Sequence, residues 1–383
     1  MSKPTTILDV GGARLTRRDV ALGGAAALLL LAGRRPAAAK RADVSWRQAL
    51  SQPRAWYGGA EAARLAESVL AAQHAVGGWA KNIDWAQPLS PDDRKTLAEA
   101  KNATVDNGAT HREAAFLARI AGETSDPGLR ARCRAATLRA LDWLLDAQYA
   151  NGGWPQFWPD PKGYQSRITF NDDAMAGVLA LLRDVARGAA DYAFVDASHR
   201  ARCTHAVEKG IDCTLRCQIR VDGRPTVWCA QHDEKTFAPA PARIYEKASF
   251  SGSESVGIVR FLMGVEKPDA RVREAIEGAV AWFERAKLTG IAVVRKEDPT
   301  LPGGWDRVVV PDKNAPPVWA RFYDLKTQQP IFCGRDGVVK RTLAEIEHER
   351  RTGYAWYTDR PASLLAKDYP AWRSRVSGHS SNA

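Results

Sequence analysis

Three aspartates stand in the chain where a metal ion could be held. Asp106 opens the polar segment 106–110, and Asp172 and Asp173 lie in the polar segment 171–174. Carboxylates crowd together only when a cation or hydrogen bonds offset their charge, and calcium is the hard ion that takes oxygen ligands. In register on successive repeats, the three aspartates predict a calcium site, whereas each one alone would be typical of a helix cap.

Arginines, whose charge is opposite to that of the aspartates, lie in the second half of the chain. Arg243, Arg321 and Arg335 each stand in a segment that also carries aromatic or acidic residues. A guanidinium pairs with a carboxylate through two parallel hydrogen bonds. Beside a carboxylate-bound calcium ion, such arginines would form a receptor for sugar acids. For Arg350, Arg351 and most other arginines, ordinary surface ion pairs are the simpler interpretation.

A run of glutamine, glycine and tryptophan is repeated three times and must position these residues. The copies begin at Gln73, Gln148 and Gln218, and their tryptophans (Trp79, Trp154 and Trp228) lie 75 and then 74 residues apart. A fixed internal period is the signature of stacked supersecondary units.

Each repeat predicts a pair of antiparallel helices. Apolar residues at helical spacing precede every glutamine, and the glycine pairs of the first two copies would end those helices. The polar segments would cap a second helix in each unit. The predicted spans are 62–70, 136–145 and 206–215 for the first helices, 111–120, 174–185 and 255–263 for the second, and 272–283 for a fourth, incomplete unit. The predicted fold is all-α, an (α/α)3 toroid with a wide cleft, irregular loops and short strands.

The first 39 residues have the pattern of a secretory signal. Arg17 and Arg18 precede an apolar segment at 21–32, and small residues follow it. The paired arginines are typical of the twin-arginine route. The apolar segment is too short to span a bilayer comfortably, and no longer one follows, so no membrane partner is expected. We predict a secreted or periplasmic protein whose catalytic domain occupies residues 40–383.

The net charge indicates the class of partner, and the cysteine content leaves two possible states of the thiols. The formal net charge is +11, which favours an acidic partner through long-range attraction. No basic run with interleaved aromatic residues and no nucleic-acid motif is present, so a polyanionic sugar chain is a better candidate than nucleic acid. The six cysteines are compatible either with disulfides in an exported protein or with small buried thiols.

Six segments in one order resemble family 10 of the pectate lyases. They are 104–110, 168–174, 228–234, 251–255, 332–337 and 349–354. The resemblance extends over about residues 45 to 375. It implies a helical toroid and a calcium-dependent, monomeric enzyme that cleaves α-1,4-polygalacturonate by β-elimination to 4,5-unsaturated oligogalacturonates.

The resemblance also assigns roles to residues. Arg335 would be the catalytic base that removes the C5 proton. Asp106, Asp172 and Asp173 would supply carboxylates to Ca²⁺, and the substrate-binding residues would be Arg243, Arg321, Asp106 and Lys81. An arginine base needs neighbouring cations that disfavour its charged form, so an alkaline activity optimum is expected. The chain departs from the family pattern at His111-Arg112-Glu113, where polar residues are usual.

Two other functions remain as alternatives. The repeated Gln-Gly-Gly-Trp runs also resemble those of triterpene cyclases, but the arginine clusters and the export signal argue against a carbocation cavity. A non-catalytic acidic-polysaccharide-binding protein would keep the arginines and the calcium site without a base at Arg335. Formation of unsaturated product from calcium polygalacturonate would distinguish the three.

Overall fold

The structure is a computed structural model that describes residues 44–380, so the predicted signal at 1–39 lies outside the described residues. Over this range the protein is built mainly from helices joined by loops and short strands, without a closed barrel. Within the same range, no helix is both long and apolar enough to cross a membrane.

The helices of the described chain have the following bounds: α1 Trp46–Ala49, α2 Ala60–Ala71, α3 Pro91–Ala98, α4 His111–Glu123, α5 Pro127–Asp146, α6 Ala174–Ala186, α7 Ala197–Cys217, α8 Glu254–Met263, α9 Ala270–Arg285, α10 His348–Gly353, α11 Arg360–Ser363 and α12 Tyr369–Ser380.

Strands are short except in one hairpin. Their bounds are β1 Ala103–Thr104, β2 Phe157–Trp158, β3 Ile168–Thr169, β4 Arg220–Val221, β5 Arg224–Pro225, β6 Gln231–His232, β7 Phe250–Ser251, β8 Ile291–Glu297, β9 Trp305–Pro311, β10 Trp319–Ala320, β11 Phe322–Tyr323, β12 Phe332–Cys333, β13 Val339–Lys340 and β14 Tyr357–Thr358. The antiparallel hairpin β8–β9, with Ile291 opposite Pro311 and Glu297 opposite Trp305, has no counterpart in the sequence prediction.

The chain divides into two compact units, which among the described residues are an N-terminal unit (44–213) and a C-terminal unit (214–380). In the N-terminal unit, the buried face of α4 includes Phe116, Leu117 and Ile120. The C-terminal unit has an aromatic cluster formed by Tyr245, Phe322, Ile331, Phe332, Cys333, Leu343, Ile346, Tyr354 and Trp356. The candidate arginines described below lie on the loops around this aromatic cluster.

All seven predicted helices are present; α6 and α8 nearly match their predicted spans, whereas α5 and α7 each begin nine residues earlier than predicted. The first helices of the repeats are α2, α5 and α7, the second are α4, α6 and α8, and α9 is the fourth. The prediction that the glycine pairs end the first helices is wrong, because α2 ends at Ala71 and α5 at Asp146, before the glycines.

The glycines instead allow each repeat loop to approach the next first helix. Gly77 and Gly152 have φ of 110° and 92°. A Cβ on Gly77 would lie 2.6 Å from the carbonyl oxygen of Arg139 in α5, and one on Gly152 would lie 2.1 Å from that of Lys209 in α7. Any side chain at these positions would push the loop off the neighbouring helix.

The repeated glutamines tie consecutive repeats together. The Gln73 side-chain amide donates to the carbonyls of Gly77 (2.7 Å) and Ala136 (2.9 Å). Gln148 bonds Ala206 in the same way at 2.9 Å, and Gln218 bonds Ala275 at 2.8 Å. Each glutamine therefore closes its own loop and bridges to the following first helix.

The repeated tryptophans are internal braces. Trp79, Trp154 and Trp228 are fully buried. Their indole N–H groups donate to the carbonyls of Val69, Leu144 and Thr214, respectively, at 2.7–2.8 Å. A buried indole with its one donor satisfied is a packing residue, so these tryptophans hold the loop onto the preceding helix rather than stack on a ligand.

All six cysteines have free, buried thiols. Burial raises the pKa of the Cys133 and Cys203 thiols to about 12. Of the two alternatives that the sequence left open, the structure has the buried thiols.

Candidate active site

The turn that carries Asp106 is strained and is not a helix cap. Asn107 and Thr110 have φ of 52° and 67°, and left-handed backbone is costly for a β-branched residue. Thr110 precedes α4, yet its hydroxyl accepts a hydrogen bond from Trp79 N–H (3.1 Å) and donates to Thr104 carbonyl (2.8 Å). The predicted capping is therefore wrong here, because the threonine fixes the turn against the repeat loop instead.

The equivalent turn of the next repeat has the same backbone. Asp172 and Asp173 have φ of 50° and 60°, and Asp173 makes no capping hydrogen bond to α6. In the third cluster the predicted capping is confirmed at Ser251, whose Oγ accepts from Glu254 N–H, the first of α8, at 3.0 Å, although Ser253 makes no capping hydrogen bond. Left-handed residues turn the aspartate side chains away from the helix ends, which frees them for other contacts.

One buried amide joins the two aspartate turns. Asn171 Nδ2 donates to Asp106 Oδ1 at 3.2 Å and to Asp172 Oδ2 at 2.7 Å. Lys81 Nζ forms an ion pair with Asp106 Oδ2, and the Asp106 side chain is only 4% exposed. We call Lys81, Asp106, Asn171 and Asp172 the carboxylate cluster. The structure thus brings together three of the predicted site residues in the N-terminal unit.

The oxygen donors fit calcium in kind but not in number. Asp106 and Asp172 offer carboxylates, and Asn82 and Asn107, which hydrogen-bond each other at 2.7 Å beside them, offer amide oxygens. Calcium takes six to eight oxygens. Among residues 44–380, however, no three His, Cys, Asp or Glu side chains are grouped as a metal site. An ion here would need further oxygens from substrate and water, and the assignment of Asp106, Asp172 and Asp173 stays a prediction.

The predicted arginines lie in the C-terminal unit, each paired with a glutamate. Arg243 Nε and Nη2 donate to the two oxygens of Glu246 at 2.8 and 2.5 Å, and Tyr354 hydroxyl donates to Glu246 Oε1 at 2.7 Å. Burial disfavours the charge on Glu246, but Arg243 outweighs it and lowers the Glu246 pKa to about 2. The Arg243 guanidinium also lies 4.9 Å from the Tyr245 ring centroid, so its plane is fixed from two directions.

Arg321 is the most enclosed of the three. Its side chain is 9% exposed, and Nη2 pairs with Glu254 Oε1. Ser251 hydroxyl donates to the other oxygen of Glu254. The Arg321 guanidinium lies 4.8 Å from the Tyr354 ring centroid. The same tyrosine therefore supports Arg321 through its face and Arg243 through Glu246.

Arg335 shares a glutamate with Arg350. Arg335 Nε and Nη2 each lie 3.1 Å from an oxygen of Glu349, and buried Arg350 donates to the same carboxylate. Burial opposes the charge on Glu349, but hydrogen bonds from Arg350 and Arg335 lower its pKa to about 2. The sequence indicated only neighbouring cations around Arg335, whereas this carboxylate accepts from both guanidinium groups and favours the protonated form of Arg335.

The glutamates were missed by the sequence prediction. Glu246 stands three residues after Arg243, and Glu349 directly precedes Arg350. The short spacing of Glu246 was the available signal, whereas Glu254 and Arg321 are 67 residues apart and no local pattern connects them. With Tyr354, these glutamates determine where each guanidinium points.

Comparison with known proteins identifies the family of this chain. The sequence model described as pectic acid lyase matches residues 73–365, which include every candidate residue above. A search of curated proteins finds no match.

Two solved structures are similar over most of the chain. One is a mutant of the family 10 polysaccharide lyase from Cellvibrio cellulosa in complex with trigalacturonic acid; it is 34% identical, covers 82% of this chain and 94% of its own, and has a TM-score of 0.72. The other is the family 10 polysaccharide lyase from Cellvibrio cellulosa, at 35% identity, 80% and 91% coverage and a TM-score of 0.70. The chain therefore belongs to the pectic acid lyase family and is a pectate lyase, a lyase that acts on polysaccharides.

Proposed function

We propose that the enzyme cleaves α-1,4-linked polygalacturonate by calcium-dependent β-elimination and releases 4,5-unsaturated oligogalacturonates. The observation that carries this proposal is the set of guanidinium groups, each oriented by its own carboxylate within the C-terminal unit. Oriented forks suit a substrate that presents carboxylates at regular intervals. Trigalacturonic acid, which the related lyase binds, is a short form of such a chain.

The proposed elimination assigns each arginine a task. Arg335 takes the C5 proton of the sugar in the +1 subsite, the electron pair forms the C4–C5 double bond, and the C4–O bond breaks while the leaving oxygen takes a proton from solvent water. Arg243 and Arg321 bind substrate carboxylates. Because Glu349 favours the protonated form of Arg335, turnover requires the neutral fraction that high pH provides, which supports an alkaline optimum.

Calcium would be held by Asp106 and Asp172 together with substrate carboxylates. When bound, it neutralises the C6 carboxylate next to the C5 proton and so favours removal of that proton. Lys81 pairs with Asp106 and lies 5.6 Å from the Phe157 ring centroid. We propose that Lys81 contacts the sugar chain, while Asp173 contributes to the same ion.

We also propose an arrangement of the helix pairs, a cellular location and an oligomeric state. The glutamine bridges from each repeat to the next first helix support an (α/α)3 arrangement of the helix pairs. The twin-arginine-like segment supports export to the periplasm or the medium. A monomer is expected, and gel filtration with light scattering would test it.

The decisive experiment is to follow the ultraviolet absorbance of the conjugated uronate product on polygalacturonate. Wild-type enzyme with added Ca²⁺ should give a steady increase. With excess chelator the rate should fall to background and return when Ca²⁺ is restored. Binding without any unsaturated product would indicate a non-catalytic polysaccharide-binding protein. Full activity in excess chelator would remove calcium from the mechanism.

Asp106→Asn links the ion to the carboxylate cluster. The variant keeps the shape of the side chain but removes its charge, so the Ca²⁺ concentration for half-maximal rate should increase. Asp126→Asn, which alters the cap of α5 outside this cluster, is the matched control and should leave that concentration unchanged. An unchanged calcium requirement in Asp106→Asn would exclude Asp106 as a ligand.

A further inference from the structure

Arg112 occupies an unusual position beside the carboxylate cluster. It lies in the first turn of α4 and is exposed, between buried His111 and Glu113. Its side chain packs on Gly108, in the same short turn as Asp106. A Cβ on Gly108 would lie 2.2 Å from Arg112 Nε and 2.4 Å from Cζ. The guanidinium therefore rests on the turn that carries the predicted calcium ligand.

The surroundings of Arg112 differ from those of the other site arginines. Arg243, Arg321 and Arg335 each have a glutamate within ion-pair distance. For Arg112, no carboxylate within residues 44–380 lies at that distance, and no hydrogen-bond acceptor does either. Its donors therefore remain available to a ligand.

Folding gives only a weak reason for a cation at this position, because the attraction of Arg112 for the charge on buried Glu113 is smaller than the effects of burial and of the Trp85 hydrogen bond on the pKa of that carboxyl. The amino-terminal end of a helix carries partial positive charge, so an arginine in the first turn is disfavoured there. Arg112 also lowers the pKa of neighbouring His111, whose burial is the larger cause. A guanidinium kept in an unfavourable field, without an internal partner and next to the site, is better explained by a ligand than by folding.

We propose that Arg112 is a substrate-binding residue. It binds the carboxylate of one galacturonate residue of the substrate, next to the galacturonate that lies at the carboxylate cluster. The ligand class is an unesterified uronate, because a guanidinium gains a charge-assisted pair from a carboxylate but not from a methyl ester. This inference rests on the proposed function and adds to it a subsite that selects free acid on the N-terminal unit.

The test compares Arg112→Gln with wild type on polygalacturonate. Loss of one charge-assisted contact should increase KM by about tenfold, while kcat changes less. On highly methyl-esterified pectin the difference between the two enzymes should largely disappear. Arg112→Lys, which keeps the charge but not the fork, should recover part of the affinity.

Two controls separate binding from structural effects. Arg64→Gln removes an exposed arginine from α2 in the same unit and should leave KM unchanged. Increasing salt should weaken wild-type binding more than Arg112→Gln binding, since screening acts on a charge that the variant lacks. A purely structural role would alter thermal stability without changing this salt dependence.

The outcomes distinguish this inference from the proposed function. If wild type forms unsaturated product and Arg112→Gln matches Arg64→Gln at every esterification level, Arg112 is a solvated surface residue and the inference is wrong. If wild type forms no product, the proposed function fails instead. An equal increase in KM on free and esterified substrate would also overturn the inference, because it would show that Arg112 does not recognise the carboxylate.

Discussion

The candidate site residues of the N-terminal unit are mainly carboxylates, whereas those of the C-terminal unit are arginines paired with glutamates. In the N-terminal unit, Asp106 and Asp172 are linked through the amide of Asn171, and one lysine pairs with Asp106. In the C-terminal unit, Arg243 and Arg335 each meet a glutamate through two nitrogen atoms. In the N-terminal unit, the carboxylate oxygens are bound by an amide and a lysine that an arriving cation could replace. In the C-terminal unit, the glutamates fix the orientation of the arginine side chains.

This contrast follows from how the two units are built. The aspartate turns occupy equivalent places in successive repeats, so one strained backbone geometry is used twice. The arginines stand on non-repeated loops around the aromatic cluster, where Tyr354 contacts two of the pairs. A calcium ion at the predicted site would have to replace Lys81 or Asn171 as partner of these carboxylates, whereas the guanidinium groups of the C-terminal unit are already oriented by their glutamates.

The largest expected effect is at Arg335, the residue proposed above as the catalytic base of the C-terminal unit. Arg335→Ala should lower kcat by about 10²- to 10⁴-fold, the usual contribution of a general base. Arg335→Lys should not restore it, because a point charge on a flexible stem cannot reproduce the guanidinium geometry. Initial rates of unsaturated product formation at saturating substrate measure both.

Arg243→Ala is the matched variant for the base assignment. Burial opposes charge on Arg243, but Glu246 outweighs it and raises the Arg243 pKa, so this arginine suits binding and its loss should mainly increase KM. Loss of turnover in Arg243→Ala but not in Arg335→Ala would move the base to Arg243. A near-normal rate in Arg335→Lys would mean that position 335 supplies only charge.

The second expected effect is on the rigidity of the C-terminal unit. Glu246 is 5% exposed and bonds both Arg243 and Tyr354. Glu246→Gln should lower the free energy of unfolding by about 1–3 kcal/mol, since buried Glu246 loses its charge-assisted bonds while Arg243, 40% exposed, keeps contact with water. Glu284→Gln, which breaks an exposed pair with Lys287 in the same unit, should cost less than about 1 kcal/mol. Urea titrations of both variants test this difference.

The pH dependence of the Glu246 effect has a definite sign. The folded-state pKa of Glu246 is about 2, below the ordinary glutamate pKa of 4.5. The stabilisation is therefore fully present above pH 4.5 and is lost as the pH falls toward 2. Wild type and Glu246→Gln should become more alike in stability over that window, and a constant gap down to pH 2 would contradict the pairing.

The third expected effect lies in the N-terminal unit, at a carboxyl that the proposed chemistry does not use. Glu113 is buried, and its Oε1 accepts from Trp85 indole at 2.9 Å. Burial raises the Glu113 pKa to about 7, above the ordinary glutamate pKa of 4.5. The folded state thus holds a proton that the unfolded state releases, so stability should fall between pH 4.5 and 7 and change no further above pH 7.

Glu113→Gln should remove that fall. A neutral amide has no proton to lose, so the variant should be more stable than wild type above pH 7, by about 3 kcal/mol at most. Thermal melts from pH 4 to 9 would show the two enzymes diverging as the pH increases. Parallel curves across this range would mean that the carboxylate is stabilised by contacts other than the indole.

The repeat period allowed the helices to be predicted, because buried apolar faces repeat at helical spacing in every unit. The same register placed Asp106 and Asp172 in equivalent turns. It could not predict their left-handed backbone, since the polar segments look like caps until Thr110 is seen bonded to Trp79 and Thr104. Local propensity is overridden there by a contact between distant residues.

The sequence indicated the arginines of the C-terminal unit but not the glutamates that orient them. The arginine forks depend on carboxylates that are far apart in sequence, such as Glu254 and Arg321, and on a tyrosine that supports two pairs. No composition or periodicity encodes such contacts. The hairpin β8–β9 was missed because its valine-rich strands, Ile291–Glu297 and Trp305–Pro311, lie outside the repeat period that dominated the prediction.

The smallest expected effect comes from the substrate and tests whether the enzyme recognises free carboxylates. Each methyl ester removes one negative charge and one bidentate partner for Arg243 or Arg321. A charge-assisted contact is worth about 1.5–3 kcal/mol, so an ester at a critical subsite should slow cleavage by about ten- to a hundredfold. Initial rates on pectins of increasing esterification should therefore decrease steadily.

Amidated pectins, neutral but able to hydrogen-bond, should be as poor as the esters if charge is what is recognised. Rates that increase with esterification would mean that neither the arginine forks nor a carboxylate-bridged calcium ion selects the free acid, and that the enzyme behaves as a pectin lyase.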